Sequence, residues 1–370
     1  MKIKTNKDTL LHGIQVVQNA VSSKNTLPIL SHILLEAKKN EIHLTATDLE
    51  IGISVKVDGE VIEEGAITVP ARKFSEIVKE LPAQEAIHIS LKKGQSLHIE
   101  AGKSYFRLVG LSKEDFPQLP EASSSAARGI DTVKIQQKKL KHMIQLTSFA
   151  MSHDESRYVL NGILFSFKEK ALKLVATDGR RLAIIQKEMP ELAGVKKDVI
   201  LPMKTIQELN RNLGEEGEVI FYFKENQLLI NLGVIHITSR LIEGEYPNYE
   251  QVVPKKTKEE LSLNTQDFLQ AARRASILTN QESQSVKLSI IKDRIIITKS
   301  TPDLGEAREE IEVDYKGAEF VIGFKPNFLI DALKNIEEEN IRFSFIDPEK
   351  PAVIKSGEDY TYIVLPMQVT

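Results

Sequence analysis

Two aspartates occupy matching places in two similar stretches of the sequence: Asp48 in "LTATDLE" and Asp178 in "LVATDGRRLA". Such a pair could act as general acid and general base if the fold brought the two side chains together and shifted their pKa values apart. A hydrolase built on this pair is therefore one hypothesis. The sequence offers little else to an enzyme, because it has no nucleophile elbow, phosphate-binding glycine loop or His-x-x-x-His pair.

Two consecutive arginines, Arg180 and Arg181, directly follow the second Asp-Gly pair. An Asp-Gly pair between two alternating runs predicts a tight turn between strands. The first stretch has Leu49 and Glu50 where the second has Gly179 and Arg180, so the turn is shared and the arginines are not. They are either solvent-facing residues of an ordinary turn or a binding site added to one copy.

The composition bounds the class of protein. At 370 residues and 41.6 kDa the chain is too long for one core, so we expect two or three domains. The absence of cysteine excludes disulfides, thiolate nucleophiles and cysteine-ligated metals. With no apolar run of membrane-spanning length and no signal-peptide pattern, we expect a soluble cytoplasmic protein. The net charge of −3 gives no whole-chain signature of nucleic-acid binding.

The chain repeats one pattern three times, at residues 33–48, 163–178 and 286–300, each an apolar–polar alternation interrupted by a charged turn. Downstream of each comes a stretch with helical spacing, namely "VPARKFSEIVKEL", "LPMKTIQELNRNL" and "IGFKPNFLIDALKNI". An amphipathic helix opens each repeat and a second hairpin closes it. We predict an α+β fold of three helix-hairpin-helix-hairpin-strand units, at residues 1–125, 126–254 and 255–370.

Equivalent residues of separate units would lie far apart, which argues against Asp48 and Asp178 as a catalytic pair. The basic residues lie mainly on the predicted helices. The opening helix of the second unit, for example, is predicted to carry Lys134, Lys138, Lys139 and Lys141. The acidic residues cluster in predicted loops such as "EEGE", "GEAREEIE" and "IEEEN". Either the helix cations only face water, or equivalent helices turn one positive side toward a polyanion by a contact that does not read sequence.

A ring formed by two chains would let the equivalent helices turn their positive sides toward one central hole. Twelve helices at about 9 Å spacing leave a hole of roughly 24 Å, which admits a duplex of roughly 20 Å with grooves about 8 Å deep. A sequence-specific DNA binder is the less favoured alternative, because the chain lacks a zinc pattern, a helix-turn-helix unit and a strong basic excess. Encirclement predicts weak, strongly salt-dependent affinity for short open duplexes.

The motifs "NTLPIL", "TATDLE", "VPARKF", "RYVLNGILF", "ATDGRRLA", "EGEYPNY" and "YIVLPM" together resemble the beta subunit of bacterial DNA polymerase III, end to end and in the family's order. The resemblance implies a homodimeric head-to-tail ring on DNA, lined by helices, without enzymatic activity or cofactor and opened by a clamp loader. It also implies that replicative and repair polymerases insert a Gln-x-x-Leu-Phe-like segment into an apolar pocket between the second and third units.

The resemblance carries three sets of residues onto this chain. The implied pocket comprises Leu160, Thr177, Gly179, Arg180, Arg181, Leu182, Pro247, Val252, Ile363, Leu365, Pro366 and Met367. The implied dimer interface sets Phe106 and Leu108 against Ile277 and Leu278, for which ordinary core packing is the alternative. The implied DNA contacts are Lys24, Arg72, Lys73 and Lys204, to which the charge pattern adds Lys138, Lys139 and Lys141.

Some positions depart from the family pattern. The family often has His where Arg180 stands, Arg where Lys24 and Gln251 stand, and a basic residue near Gln368. These departures concern partner preference and DNA contacts rather than the ring.

Overall fold

The computed structural model describes residues 1–22, 27–120, 131–254 and 257–368. The chain divides into two compact units, Met1–Lys138 with Gln207–Leu241, and Lys139–Ile206 with Ile242–Thr370. The elements of the predicted central repeat are therefore distributed over both units.

The elements of the three predicted repeats follow the same order, except that the first repeat has one additional strand, β5 (Glu60–Glu63), between its helices. The first contains β1 (Lys2–Thr5), α1 (Lys7–Gln18), β2 (His32–Lys38), β3 (Glu41–Thr47), β4 (Ile51–Val57), β5 (Glu60–Glu63), β6 (Gly65–Pro70), α2 (Ala71–Glu80), β7 (Ile87–Lys92), β8 (Ser96–Ala101) and β9 (Ser104–Val109). The second contains β10 (Thr132–Gln136), α3 (Gln137–Gln145), β11 (Gly162–Lys168), β12 (Ala171–Thr177), β13 (Arg181–Glu188), β14 (Lys197–Pro202), α4 (Met203–Asn212), β15 (Glu218–Lys224), β16 (Gln227–Asn231) and β17 (Ile235–Arg240). The third contains β18 (Glu259–Asn264), α5 (Thr265–Ser276), β19 (Val286–Ile291), β20 (Arg294–Thr301), β21 (Gly305–Glu312), β22 (Phe320–Phe324), α6 (Pro326–Leu333), β23 (Asn340–Phe345), β24 (Ala352–Ser356) and β25 (Tyr360–Val364).

Each unit contains two antiparallel sheets. In the first unit the strand orders are β5-β1-β7-β8-β9 and β10-β15-β16-β17-β4-β3-β2-β6. In the second unit they are β14-β11-β12-β13-β25-β24-β23-β18 and β21-β20-β19-β22. Neighbouring repeats share the two long sheets, because β17 pairs with β4 and β13 pairs with β25. The prediction of an α+β fold with three tandem units is confirmed.

The helical faces predicted from spacing are also confirmed. Leu10, Ile14 and Val17 of α1 are fully buried, as are Phe74 and Val78 of α2. Apolar residues of the other helices are fully buried as well, among them Leu140, Met143, Ile144, Ile206, Leu209, Phe268, Leu329 and Leu333. Burial of one apolar stripe on each helix supplies most of the stability that short helices lack on their own.

Several strands were missed by the sequence reasoning. A strand precedes the opening helix of every repeat, so Lys134 lies on β10 and not on a helix. The four to six residues of these strands alternate too briefly to stand out beside a helical pattern. The acidic stretch "GEAREEIE" was predicted to be a loop and is β21. Because β21 is the last strand of its sheet, its charged side chains are tolerated and discourage unwanted pairing.

Candidate functional site

The turn between β12 and β13 is built by local side-chain hydrogen bonds. The Asp178 carboxylate accepts from the backbone N–H of Arg180 (2.9 Å) and Arg181 (3.0 Å), and Thr177 Oγ1 donates to the Arg181 carbonyl (2.6 Å). Gly179 has a φ of +85°, the left-handed region where a side chain is disfavoured. These bonds explain why the Asp-Gly sequence turns here.

The first repeat makes the same turn. Asp48 accepts from the backbone N–H of Glu50 (3.0 Å) and Ile51 (2.9 Å), and Leu49 stands at the left-handed position with a φ of +77°. The predicted sharing of the turn is confirmed. Both aspartates are engaged in shaping their turns, Asp48 in the first unit and Asp178 in the second.

The two arginines behind the turn differ in their surroundings. The side chain of Arg181 is only 10% exposed, and its guanidinium donates to Asp178 Oδ2 (3.0 Å), Asp331 Oδ2 (2.8 Å) and the Phe149 carbonyl (2.6 Å). Arg180 is exposed, and its carbonyl accepts from the Leu365 N–H at 2.9 Å. Arg181 therefore holds the turn from inside, whereas Arg180 faces solvent beside the C-terminal segment.

An apolar cluster underlies this turn. Its buried members are Leu164, Val175, Leu182, Ile200, Val353 and Ile363, with Val159, Ile184, Ile242, Tyr246, Tyr249 and Val253 packed against them. Two of the expected pocket residues, Leu182 on β13 and Ile363 on β25, stand opposite each other in the sheet. Burial raises the pKa of Tyr246, which packs against this cluster.

The other expected pocket residues differ in their exposure. Leu160 is 7% exposed, while Leu365 and Val252 are 39% and 54% exposed. Pro247 is exposed, Thr177, Pro366 and Met367 are half-buried, and the Met367 N–H donates to the Gly323 carbonyl at 2.8 Å. The site thus combines a buried apolar floor with exposed apolar residues at its rim.

Residues of the segment Glu155–Leu160 also contact this region, and the sequence reasoning missed them. A Cβ added to Gly179 would meet Arg157 Nη1 at 2.9 Å, and one added to Gly244 would meet the Tyr158 hydroxyl at 3.2 Å. Tyr158 is 57% exposed. The motif "RYVLNG" contains these residues beside Leu160, and it is the sequence signal for this contact.

The candidate DNA-binding residues mostly lie on helices and are exposed. Arg72 and Lys73 are on α2, with side chains 89% and 66% exposed, and both bind Glu76. Lys138 on α3 is 73% exposed and lies 3.5 Å from Glu215. The remaining candidates on helices are Lys139, which is exposed, and Lys141 and Lys204, which are half-buried. Lys24 lies outside the described residues.

The candidate interface residues lie on an edge strand and directly after a helix. Phe106 is 38% exposed and Leu108 half-buried on β9, the last strand of its sheet. Ile277, directly after α5, is 75% exposed, and Leu278 is half-buried. Within the single chain, Phe106 and Ile277 are therefore not ordinary core residues.

Two kinds of feature are absent from the described ranges, metal-binding clusters and membrane-spanning helices. No set of three or more His, Asp or Glu side chains there is arranged to hold a metal ion. No helix in the same ranges has the length and apolar character needed to cross a membrane.

Comparisons with known proteins agree along the whole chain. Three family models, of the N-terminal, central and C-terminal domains of the DNA polymerase III beta subunit, match this chain at residues 1–120, 134–248 and 250–368, respectively. The beta sliding clamp of Pseudomonas putida is 35% identical over 373 residues, covering 100% of both chains. That of Chlamydia muridarum is 30% identical over 369 residues, covering 100% of this chain and 99% of the relative.

Solved structures give the same result. The DNA polymerase sliding clamp of Bacillus subtilis superposes with a TM-score of 0.92 at 33% identity, and that of Pseudomonas aeruginosa with 0.91 at 34%. Each match covers 100% of both chains. This protein is therefore of the DNA sliding clamp class, the processivity factors of DNA replication. The chain belongs to the DNA polymerase III beta subunit family.

Proposed function

We propose that two copies of this chain form a head-to-tail ring around duplex DNA, each contributing three clamp domains at residues 1–125, 126–254 and 255–370. The ring is opened by a clamp loader, tethers the replicative polymerase and repair polymerases, and performs no catalysis. It needs no cofactor and works in the cytoplasm at the nucleoid. The clamp class supports DNA and polymerase tethering in general, and the residues below support the finer statements.

The edges of two sheets support the homodimer. Arg107 is the charged residue of β9, while β21 carries four glutamates and one arginine, Arg308, which pairs with Glu310. Opposite charge on two unpaired edge strands favours their pairing between copies and suppresses like-with-like contacts. Burial of the exposed apolar residues on β9 and after α5 would add hydrophobic stabilisation.

The pocket for partner peptides rests on one observation, the exposed apolar rim above a buried apolar floor. Leu365 directly follows β25, whose Ile363 pairs with Leu182, and Val252 precedes Val253, which packs against the apolar cluster; both Leu365 and Val252 are exposed. A cleft of this composition accepts leucine and phenylalanine anchors. The expected ligand is a short Gln-x-x-Leu-Phe-like segment of a replicative or repair polymerase.

Titration of a labelled peptide of this type tests the pocket. The intact protein is expected to bind with micromolar affinity, about −8 kcal/mol. A variant lacking Pro366–Thr370 keeps all of β25 and should stay folded, but should no longer bind. Circular dichroism melting of both proteins supplies the control. Undiminished binding by the folded variant, or no binding by the intact protein, would contradict the pocket.

A further inference from the structure

Asp331 on α6 is a carboxylate shared between two cations. Its Oδ2 accepts from Arg181 Nη1 (2.8 Å) and its Oδ1 from Lys334 Nζ (2.6 Å). The two cations differ in burial, because the side chain of Lys334 is 43% exposed and that of Arg181 only 10%. The pair with Arg181 is the one shielded from water, where a charge without its partner is costly.

The same helix also contacts the C-terminal side of the candidate pocket. The ring of Phe328 lies 4.6 Å from the Arg181 guanidinium carbon, and the Phe328 carbonyl accepts from the Tyr362 hydroxyl at 2.8 Å. Tyr362 belongs to β25, which also contains Ile363. Helix α6 therefore bonds to both strands that flank the pocket.

Arg181 connects helix α6 to the strands that carry the pocket residues Leu182 and Ile363. It is the first residue of β13 and pairs with Val364, and the next residue, Leu182, pairs with Ile363. On its other side, the Arg180 carbonyl accepts from the Leu365 N–H. Displacement of the guanidinium would shift the turn and, through these bonds, the segment that carries Leu365.

We propose that Asp331 is a positioning residue of the partner-peptide pocket, which touches no peptide and holds Arg181 so that the turn and the C-terminal segment keep the shape that binds one. This inference rests on the proposed pocket. A pocket ordered in advance loses less conformational freedom when the peptide binds, so its affinity is higher. Loss of the carboxylate removes one of the charged partners of Arg181, and the turn is then less firmly held.

The test compares full-length wild type with Asp331→Asn, Lys334→Gln and Asp359→Asn in the labelled-peptide titration. Lys334→Gln leaves the Arg181–Asp331 pair intact. Asp359→Asn is the matched control, because it removes a carboxylate paired with Lys187 on the same strand β13. Asp331→Asn should weaken binding about tenfold, and both controls should bind as wild type does.

Equal affinity of Asp331→Asn and wild type would overturn the inference. No binding by wild type would instead overturn the pocket itself, so the two failures are distinguishable. If Asp331→Asn shows no cooperative thermal transition, Asp331→Glu replaces it, since this variant keeps the charge and displaces the carboxylate by one methylene. Weaker peptide binding by folded Asp331→Glu supports the inference, and wild-type affinity overturns it.

Amide hydrogen exchange separates positioning from general destabilisation. In folded Asp331→Asn the Leu365 amide, which donates to Arg180, should exchange faster, while the Leu174 amide in the buried strand β12 should exchange as in wild type. Equal acceleration at both amides would mean that the substitution only lowers overall stability, and the inference would be wrong.

Discussion

At the scale of single residues, adjacent side chains of the same type have different roles. Arg181 is buried among three acceptors and an aromatic ring, whereas Arg180 faces solvent. The planar guanidinium suits the buried position, because lysine could not satisfy three acceptors in one plane. The first repeat has Ile51 where Arg181 stands, so its matching turn lacks this anchor.

The ion pair of Asp331 predicts a pH dependence of stability. Burial raises the pKa of this carboxyl, but hydrogen bonds from Arg181 and Lys334 outweigh burial, and the net pKa lies below the ordinary value. The folded state thus binds this proton less tightly than the unfolded chain. Its stabilisation is fully present above about pH 4 to 5 and is lost as the pH falls through the lower folded pKa.

Urea unfolding of wild type and Asp331→Asn between pH 7 and pH 3 checks this dependence. Asp331→Asn should be less stable at pH 7, and the difference should shrink as the pH falls, because the wild-type carboxyl becomes neutral as well. A stability difference between the two proteins that stays constant or grows toward acid pH would contradict the expected direction of this pH dependence.

At the scale of elements, cations of the helices are partnered by acids of the same chain. On α2, Glu76 accepts from Arg72 Nε at 2.9 Å and from Lys73 Nζ at 2.7 Å. These hydrogen bonds, that from Lys73 first, lower the pKa of Glu76, so it is ionised at neutral pH. In the proposed ring, a DNA phosphate would have to compete with this carboxylate for both cations, which favours the weak hold that sliding requires.

Glu76→Gln is therefore expected to raise affinity for a short duplex several-fold, with a steeper decline as salt increases. Glu80→Gln, an equal charge change at the exposed C-terminal end of the same helix, is the matched control and should have a smaller effect. Fluorescence anisotropy over a salt series measures both. Equal gains in the two variants would indicate only the change in net charge.

Elements also show how far the sequence could be interpreted. Helical spacing predicted the buried faces of α1, α2, α4 and α6, and alternation predicted the hairpins. Short strands such as β10 escaped detection because five residues give too little periodicity. The Arg181–Asp331 hydrogen bond joins residues 150 positions apart, so a local sequence pattern could not identify Asp331 as the partner of Arg181.

At the scale of the whole molecule, the repeats are joined by shared sheets. The pairs β4–β17 and β13–β25 each link strands of successive repeats, so the central repeat contributes to both compact units. Sequence periodicity predicted three units but not this division, since strand pairing between repeats depends on tertiary contacts. The exposed edges β9 and β21 remain available for a second copy.

Retention on DNA tests the central claim, a ring that encircles the duplex. The protein is loaded onto nicked circular DNA by a bacterial clamp loader and washed with high salt, and the DNA is then cut once. We expect the protein to survive the salt wash on circles and to be released on cutting, while Ile277→Asp, designed to break the dimer, is not retained. Equal, salt-sensitive binding to circular and linear DNA would contradict encirclement.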